Sequence, residues 1–265
     1  MVRQDFHVHS HFSDGVSTPE EIVERAIADG MERLGFSDHV YAPYDLECCI
    51  PKADMVRYRD TIRALQKKYA GKIEIFCGIE QDIYSEESTA DYDYVIGSVH
   101  YIKLGDAYYG VDYKAETLRE AADKYFDGDL YGVVETYFDT VSKVYEKTGC
   151  DVIGHFDLIS KLNERYQLFD ENHPRYIAAW KSAADKLLKT GKLFEINTGA
   201  ISRGYRTQPY PARPIMEYLV NHGAKFILSS DSHDCATLRY QFDVWEQAVR
   251  DRHIPLTELK NEVIR

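Results

Sequence analysis

Seven short apolar runs, at residues 5–8, 33–37, 73–79, 94–99, 151–154, 193–197 and 226–229, alternate with helical stretches along the chain. Strands spaced this way pair in parallel, because the helix between two of them supplies the crossover that parallel neighbours need. At 265 residues a closed α/β barrel is the expected form, and an open doubly wound sheet is the alternative. Helix signals support the alternation. Ser17-Thr18-Pro19-Glu20-Glu21 supplies a cap, a first-turn proline and acidic residues, Ile22, Val23, Ala26 and Ile27 form one apolar face, and Gly30 is the stop. Further helices are expected over 55–69, 132–148, 176–190 and 212–222. No Pro/Gly/Ser linker, repeat or low-complexity run divides the chain, so one domain over 1–265 is expected.

The polar residues gather where the strands end. The first run carries His7 and His9, followed by Ser13-Asp14-Gly15, and the second leads into Asp38-His39. The next three close on Glu80, His100 and His155, the sixth reads Glu195-Ile196-Asn197, and the last leads into Asp231-Ser232-His233. Residues i and i+2 share a strand face, so His7 and His9 point together, as do Asp231 and His233. The C-terminal mouth of a parallel barrel is where active sites are built. Grouping six histidines with Asp14, Glu80 and Asp231 is costly unless metal ions compensate the charge. The set His7, His9, Asp14, His39, Glu80, His100, His155, Asp231 and His233 is therefore read as a metal centre. Its imidazoles and carboxylates, without a thiolate, suit Zn, Mn or Fe. His11, His173, His222 and His253 are left as non-ligands, and the Cys48-Cys49 pair as buried and inert.

Composition narrows the function. Thirty-two basic against 44 acidic residues leave a formal charge of −12, which argues against a chain that grips long nucleic acid. Five cysteines without a C-x-x-C pair, and no run of some 18 apolar residues, lead to the expectation of a reduced cytoplasmic enzyme with no membrane partner.

The ordered motifs Asp-x-His-x-His…Ser-Asp-Gly, Ser-Asp-His, Gly-x-Glu, Gly-Ser-x-His, Gly-His and Ser-Asp-Ser-His resemble the polymerase-and-histidinol-phosphatase (PHP) superfamily, in its histidinol-phosphate phosphatase branch. The resemblance runs from Asp5 to His233. It implies a distorted (β/α)7 barrel with three divalent metal ions at its mouth. On that pattern His7, His9, Glu80 and Asp231 hold the first ion. Glu80 bridges to a second that also takes His100 and His155, and Asp14, His39 and His233 hold the third. Many relatives have a histidine where this chain has Asp14, and the harder carboxylate shifts that site toward Mn or Fe.

Phosphate-monoester hydrolysis needs up to about 10²¹-fold acceleration, whereas one positioned acid or base contributes roughly 10² to 10⁴. The chain carries no Cys-x5-Arg loop and no P-loop, which leaves metals to supply the remainder. The expected chemistry is attack by a metal-bridging hydroxide, with Glu80 bridging and Asp231, His233 or a water they position protonating the leaving group. Arg203, Lys161, Ser202 and Asn197 are the candidate substrate contacts. Asp45, Glu47 and Asp112 lie in loops rich in Tyr and acid that suit an ammonium-bearing substrate. With the resemblance, the expected substrate is L-histidinol phosphate, the activity being that of a histidine-biosynthetic phosphatase. A phosphoesterase for nucleotides, phosphotyrosine or nucleic-acid ends, and a non-catalytic module, are the rivals.

Overall fold

A computed structural model describes residues 2–257 and Leu259. Its strands in chain order are β1 (Gln4–Asp5), β2 (Arg33–Phe36), β3 (Glu74–Cys77), β4 (Ile79–Asp82) and β5 (Val95–Ser98), followed by β6 (Tyr101–Leu104), β7 (Ala107–Gly110), β8 (Val152–Ile153), β9 (Leu193–Asn197) and β10 (Phe226–Ser229). The helices are α1 (Pro19–Ala28), α2 (Met55–Lys68), α3 (Ala115–Tyr125), α4 (Leu130–Val141) and α5 (Val144–Thr148), then α6 (Asn163–Tyr166), α7 (Pro174–Leu188), α8 (Gly199–Ser202), α9 (Arg213–Asn221) and α10 (Phe242–Asp251). The α/β alternation expected from the sequence is present, and the two principal sheets are parallel throughout.

One sheet has the order β1-β2-β3 and the other β10-β9-β8-β5-β4. Isolated parallel bridges join them at both sides, Val8 to Ser232 and His39 to Glu80. These bridges fall beyond β1, β2 and β10, in the segments that carry the candidate ligands. The run expected as one strand over 73–79 is two, broken at Gly78. A Cβ on Gly78 would collide with the ring of Tyr94, whose hydroxyl donates to the carbonyls of Phe6 (2.7 Å) and Phe36 (2.9 Å). Tyr94 thus pins β1 and β2 from inside, and Gly78 leaves it room.

Thr18 caps α1 in a capping box with Glu21, and Pro19 takes the first helical position, as the local sequence implies. The helix expected over 132–148 begins earlier, at Leu130 with Asp129 as its cap, and stops at Val141 before α5 resumes. Thr136 and Thr140 bond back to the carbonyls four residues before them, a geometry that bends helices ahead of this break. An antiparallel hairpin, β6–β7, was not expected from the sequence and stands beside the mouth. Among the described residues no helix is long and apolar enough to cross a membrane.

Candidate metal centre and its cavity

All nine candidate ligands converge. The potential metal-binding groups are His9/Asp14/His39/His233, His7/Glu80/His155, His7/His9/Asp231 and His39/Glu80/His100. The tightest geometry surrounds His7 and His9. His7 Nε2 lies 3.2 Å from Glu80 Oε2 and 3.6 Å from Asp231 Oδ1, and His9 Nε2 lies 3.5 and 3.3 Å from the same two atoms. Ligands about 2.1 Å from a tetrahedral ion sit about 3.4 Å from one another, so these four atoms fit one. Three of them, on His7, His9 and Glu80, are buried without a hydrogen-bond partner, a costly state that an ion would relieve. The other Glu80 oxygen faces His155 Nε2 at 2.9 Å and His100 Nε2 at 3.5 Å. Asp14 Oδ2 lies 3.1 Å from His233 Nε2 and 3.8 Å from His39 Nε2. His39 also faces Glu80 Oε2 through Nδ1 at 3.1 Å, so it stands between two groups and does not belong to Asp14 alone.

The electrostatics suit this arrangement. Burial, then the neighbouring His233 and His39, pushes His9 down to about 3, which keeps it neutral and available as a ligand. Burial opposes ionisation of Glu80, yet His7, His39 and His100 outweigh it and hold the carboxylate well below its usual range. For His100 burial is likewise outweighed by Glu80 and Asp82, and the imidazole is pushed up to about 10. A proton held there at neutral pH would have to leave for His100 to ligate an ion. Metal affinity is expected to rise with pH toward 10, and uptake at pH 7 to release protons. Calorimetry in buffers of different ionisation enthalpy checks this, and uptake without proton release would contradict it.

The sequence reading did not single out the residues that orient these ligands. Glu195 accepts from His7 Nδ1 (2.5 Å), from the His155 amide (2.8 Å) and from Ser229 Oγ, so that His7 presents Nε2 to the centre. Asp38 accepts from the Ser10 amide (2.8 Å) and Ser13 Oγ (2.7 Å) and so fixes the turn that carries Asp14. Asp82 accepts from the His100 amide (2.8 Å) and from the Tyr44 hydroxyl (2.7 Å). Asp231 itself has a left-handed φ of 49°, a strained conformation that the surrounding contacts hold in place. Glu195→Gln is expected to lower metal affinity roughly 10- to 100-fold, measured by competition with a chromogenic chelator. Wild-type affinity would show that Glu195 does not orient His7.

Of the proposed substrate contacts, Arg203 and Lys161 line a cavity of about 310 Å³ shared with Asp14, His39, Glu80 and Asp231. Arg203 donates to Asp231 Oδ2 (2.9 Å) and to the Asp231 carbonyl (2.8 Å). Gly199 leaves space for that pair, since a Cβ there would lie 2.7 Å from Asp231 Oδ2. Lys161 donates to Asp112 at 2.7 Å. Asn197 and Ser202 are not brought to the cavity. Asn197 is fully buried and its amide holds Glu195 and Gly199, while the Ser202 hydroxyl donates to the Gly199 carbonyl. They stand beside the site as supports, because their polar groups are already committed. Asp45 and Asp112 line the cavity, whereas Glu47 is exposed outside it.

The remaining histidines have other work. His173 caps α7, His222 bonds the Tyr218 carbonyl, and His11 and His253 are exposed. Cys49 is buried, but Cys48 is only half-buried and faces the cavity, contrary to the expectation that both are buried. Burial and Asp45 push its thiol up to about 12, so it stays protonated and unreactive at neutral pH.

A histidinol-phosphatase of Lactococcus lactis is 29% identical over 88% of this chain and 85% of its own length. A "Probable histidinol-phosphatase" of Deinococcus radiodurans is 28% identical over 93% of this chain and 92% of its own. In fold the chain is similar to the crystal structure of L. lactis histidinol phosphate phosphatase complexed with Zn, L-histidinol and phosphate. That likeness has a TM-score of 0.72 at 21% identity and covers 100% of this chain and 99% of the other. The PHP domain matches residues 5–199, which is most of the sequence, and the chain belongs to the PHP domain family.

Proposed function

We propose that this protein is a metal-dependent phosphomonoesterase that hydrolyses L-histidinol phosphate to L-histidinol and phosphate. The observation that carries the reading is the convergence of nine ligand side chains, seven of which line the cavity that also holds Arg203 and Lys161. The names of its relatives supply the substrate. The whole chain is taken as one catalytic unit, a distorted (β/α)7 barrel, a reading supported by the bridges at both sheet edges.

His7, His9, Glu80 and Asp231 would hold one ion, Glu80, His100 and His155 a second, and Asp14, His233 and His39 a third. Zn, Mn or Fe suits this donor set. Bound divalent ions supply Lewis-acid charge to the phosphate oxygens and lower the pKa of water toward neutrality. The side chains do the rest. Arg203 meets phosphate oxygens with a planar fork and Lys161 with a point charge. Burial opposes ionisation of Asp231, but Arg203 and His7 hold its carboxylate well below the usual range. Ionised, it orients a water that protonates the leaving alkoxide and is not itself the acid. Asp45, Tyr101 and Tyr113 form the wall the amino alcohol faces.

Purified protein is expected to carry two to three transition-metal ions per chain, to release phosphate from L-histidinol phosphate, and to lose that activity on chelation. Elemental analysis finding fewer than one ion per active chain would sink the three-ion reading. Metal-loaded protein inert toward the ester would sink the substrate.

A further inference from the structure

We propose that Arg206 is the positioning residue of the phosphate-binding face, clamping together the two loops that carry Lys161 and Arg203. The inference rests on the reading of the site as one for a phosphate ester. Lys161 follows β8 and Arg203 follows β9, and both side chains reach the cavity. Arg206 does not line it. Its side chain is 4% exposed and lies behind the two loops.

The polar contacts of the Arg206 guanidinium tie one loop to the other. Nη1 donates to Ser160 Oγ, on the residue before Lys161, and lies 3.7 Å from Asp157 Oδ2. That Asp157 oxygen accepts from the Ala212 amide at 2.9 Å, so the end of the second loop is held as well. Nε lies 3.9 Å from Glu164, which accepts from the Thr207 amide at 2.9 Å. The guanidinium plane packs over Tyr210, 4.8 Å from the ring centroid. Tyr210 exchanges both backbone hydrogen bonds with Asn197, whose amide reaches the same Asp231 oxygen that Arg203 holds.

Stability alone does not account for a cation here. Burying a guanidinium is costly, and carboxylates at 3.7 and 3.9 Å repay it poorly, so apolar side chains in place of both Arg206 and its buried partner Asp157 would serve a core as well. What the planar group adds is a rigid fork with donors at fixed angles, which sets the distance between two loops. A displacement of about 1 Å in a binding group can cost about 10²-fold, so this spacing is where the binding of phosphate is set.

The test compares Arg206→Lys and Arg206→Met with wild type, all as metal-loaded protein. KM and kcat for L-histidinol phosphate, affinity for inorganic phosphate by calorimetry, metal content and Tm are measured. In Arg206→Lys, KM and the dissociation constant of phosphate are expected to rise together by about 10-fold, with kcat within about threefold and metal content unchanged. Arg206→Met is expected to show about 10²-fold on the same two quantities. Variants that lose Tm while KM and phosphate affinity stay at wild-type values would overturn the proposal, and so would a rise in KM without loss of phosphate affinity. Should Arg206→Met fail to fold, Arg206→Lys decides the question. Phosphate binding needs no turnover, so a wild-type protein inert toward L-histidinol phosphate would defeat the substrate reading while leaving this test standing.

Discussion

Glu80→Gln is expected to lower kcat/KM by at least about 10³-fold, close to 4 kcal/mol of transition-state stabilisation. Glu80 is 1% exposed on β4, and its two oxygens face five imidazoles. Oε1 also accepts from Ser98 Oγ, which fixes the carboxylate plane between the two sides. The amide keeps the shape but removes the one negative charge shared by both groups of ligands. It also places an N–H donor where an ion would bind. Loss at Glu80 should therefore exceed that at an outer ligand such as His39, which is 17% exposed. His173→Asn is the matched control, since His173 caps α7 through Nδ1 and Asn is itself a good cap. Its activity should stay within about twofold of wild type. Comparable losses in the two variants would mean that the centre has been misread. Metal content measured alongside tells a lost ion from a misplaced one.

What was legible in the sequence was whatever a short-range rule governs. His7 and His9 could be placed on one face because the strand period is two, and parallel topology then carried the other strand exits to the same rim. The carboxylates behind the ligands obey no such rule. Glu195 lies within β9 much as Glu80 lies within β4, and only the fold shows that its oxygens are spent on His7 and on the His155 amide. Asn197, expected at the substrate from its place at the strand end, is fully buried and does not line the cavity. The β6–β7 hairpin was missed although Leu104-Gly105-Asp106-Ala107 carries a turn signal, with Gly105 at a φ of 61°. The alternation Tyr101-Ile102-Lys103-Leu104 follows directly on His100, so no break in the sequence separates β6 from the end of β5. Arg206 lay beyond reach, because its partners at Ser160 and Asp157 lie more than forty positions away and no local pattern announces a buried cation.

The second large effect is in the choice of substrate. L-histidinol phosphate is expected to exceed adenosine monophosphate in kcat/KM by at least about 10²-fold, some 2.7 kcal/mol of discrimination. The chain bears a formal charge of −12, so even three divalent ions leave it anionic and confine positive potential to the centre and its cationic neighbours. One phosphate dianion is held there, while the acidic surround repels the further phosphates of a polymer. Of the acidic residues at the mouth, Asp112 is committed to Lys161, and Glu47 is exposed and does not line the cavity. Asp45 remains, beside Tyr101 and Tyr113, as the carboxylate a cationic leaving group meets. A charge-assisted hydrogen bond contributes roughly 1.5–3 kcal/mol, so Asp45→Asn should cost L-histidinol phosphate at least about tenfold. The same change should leave p-nitrophenyl phosphate within about twofold. Arg203→Ala, in contrast, should depress every ester, because that side chain lines the cavity and holds Asp231. Steady-state kinetics on the two small esters, the nucleotide and a single-stranded oligonucleotide decide the matter. More efficient turnover of the nucleotide or the oligonucleotide would replace the amino-alcohol phosphate with a nucleic-acid substrate. Equal losses on all esters in Asp45→Asn would move the cation-recognising wall elsewhere in the cavity.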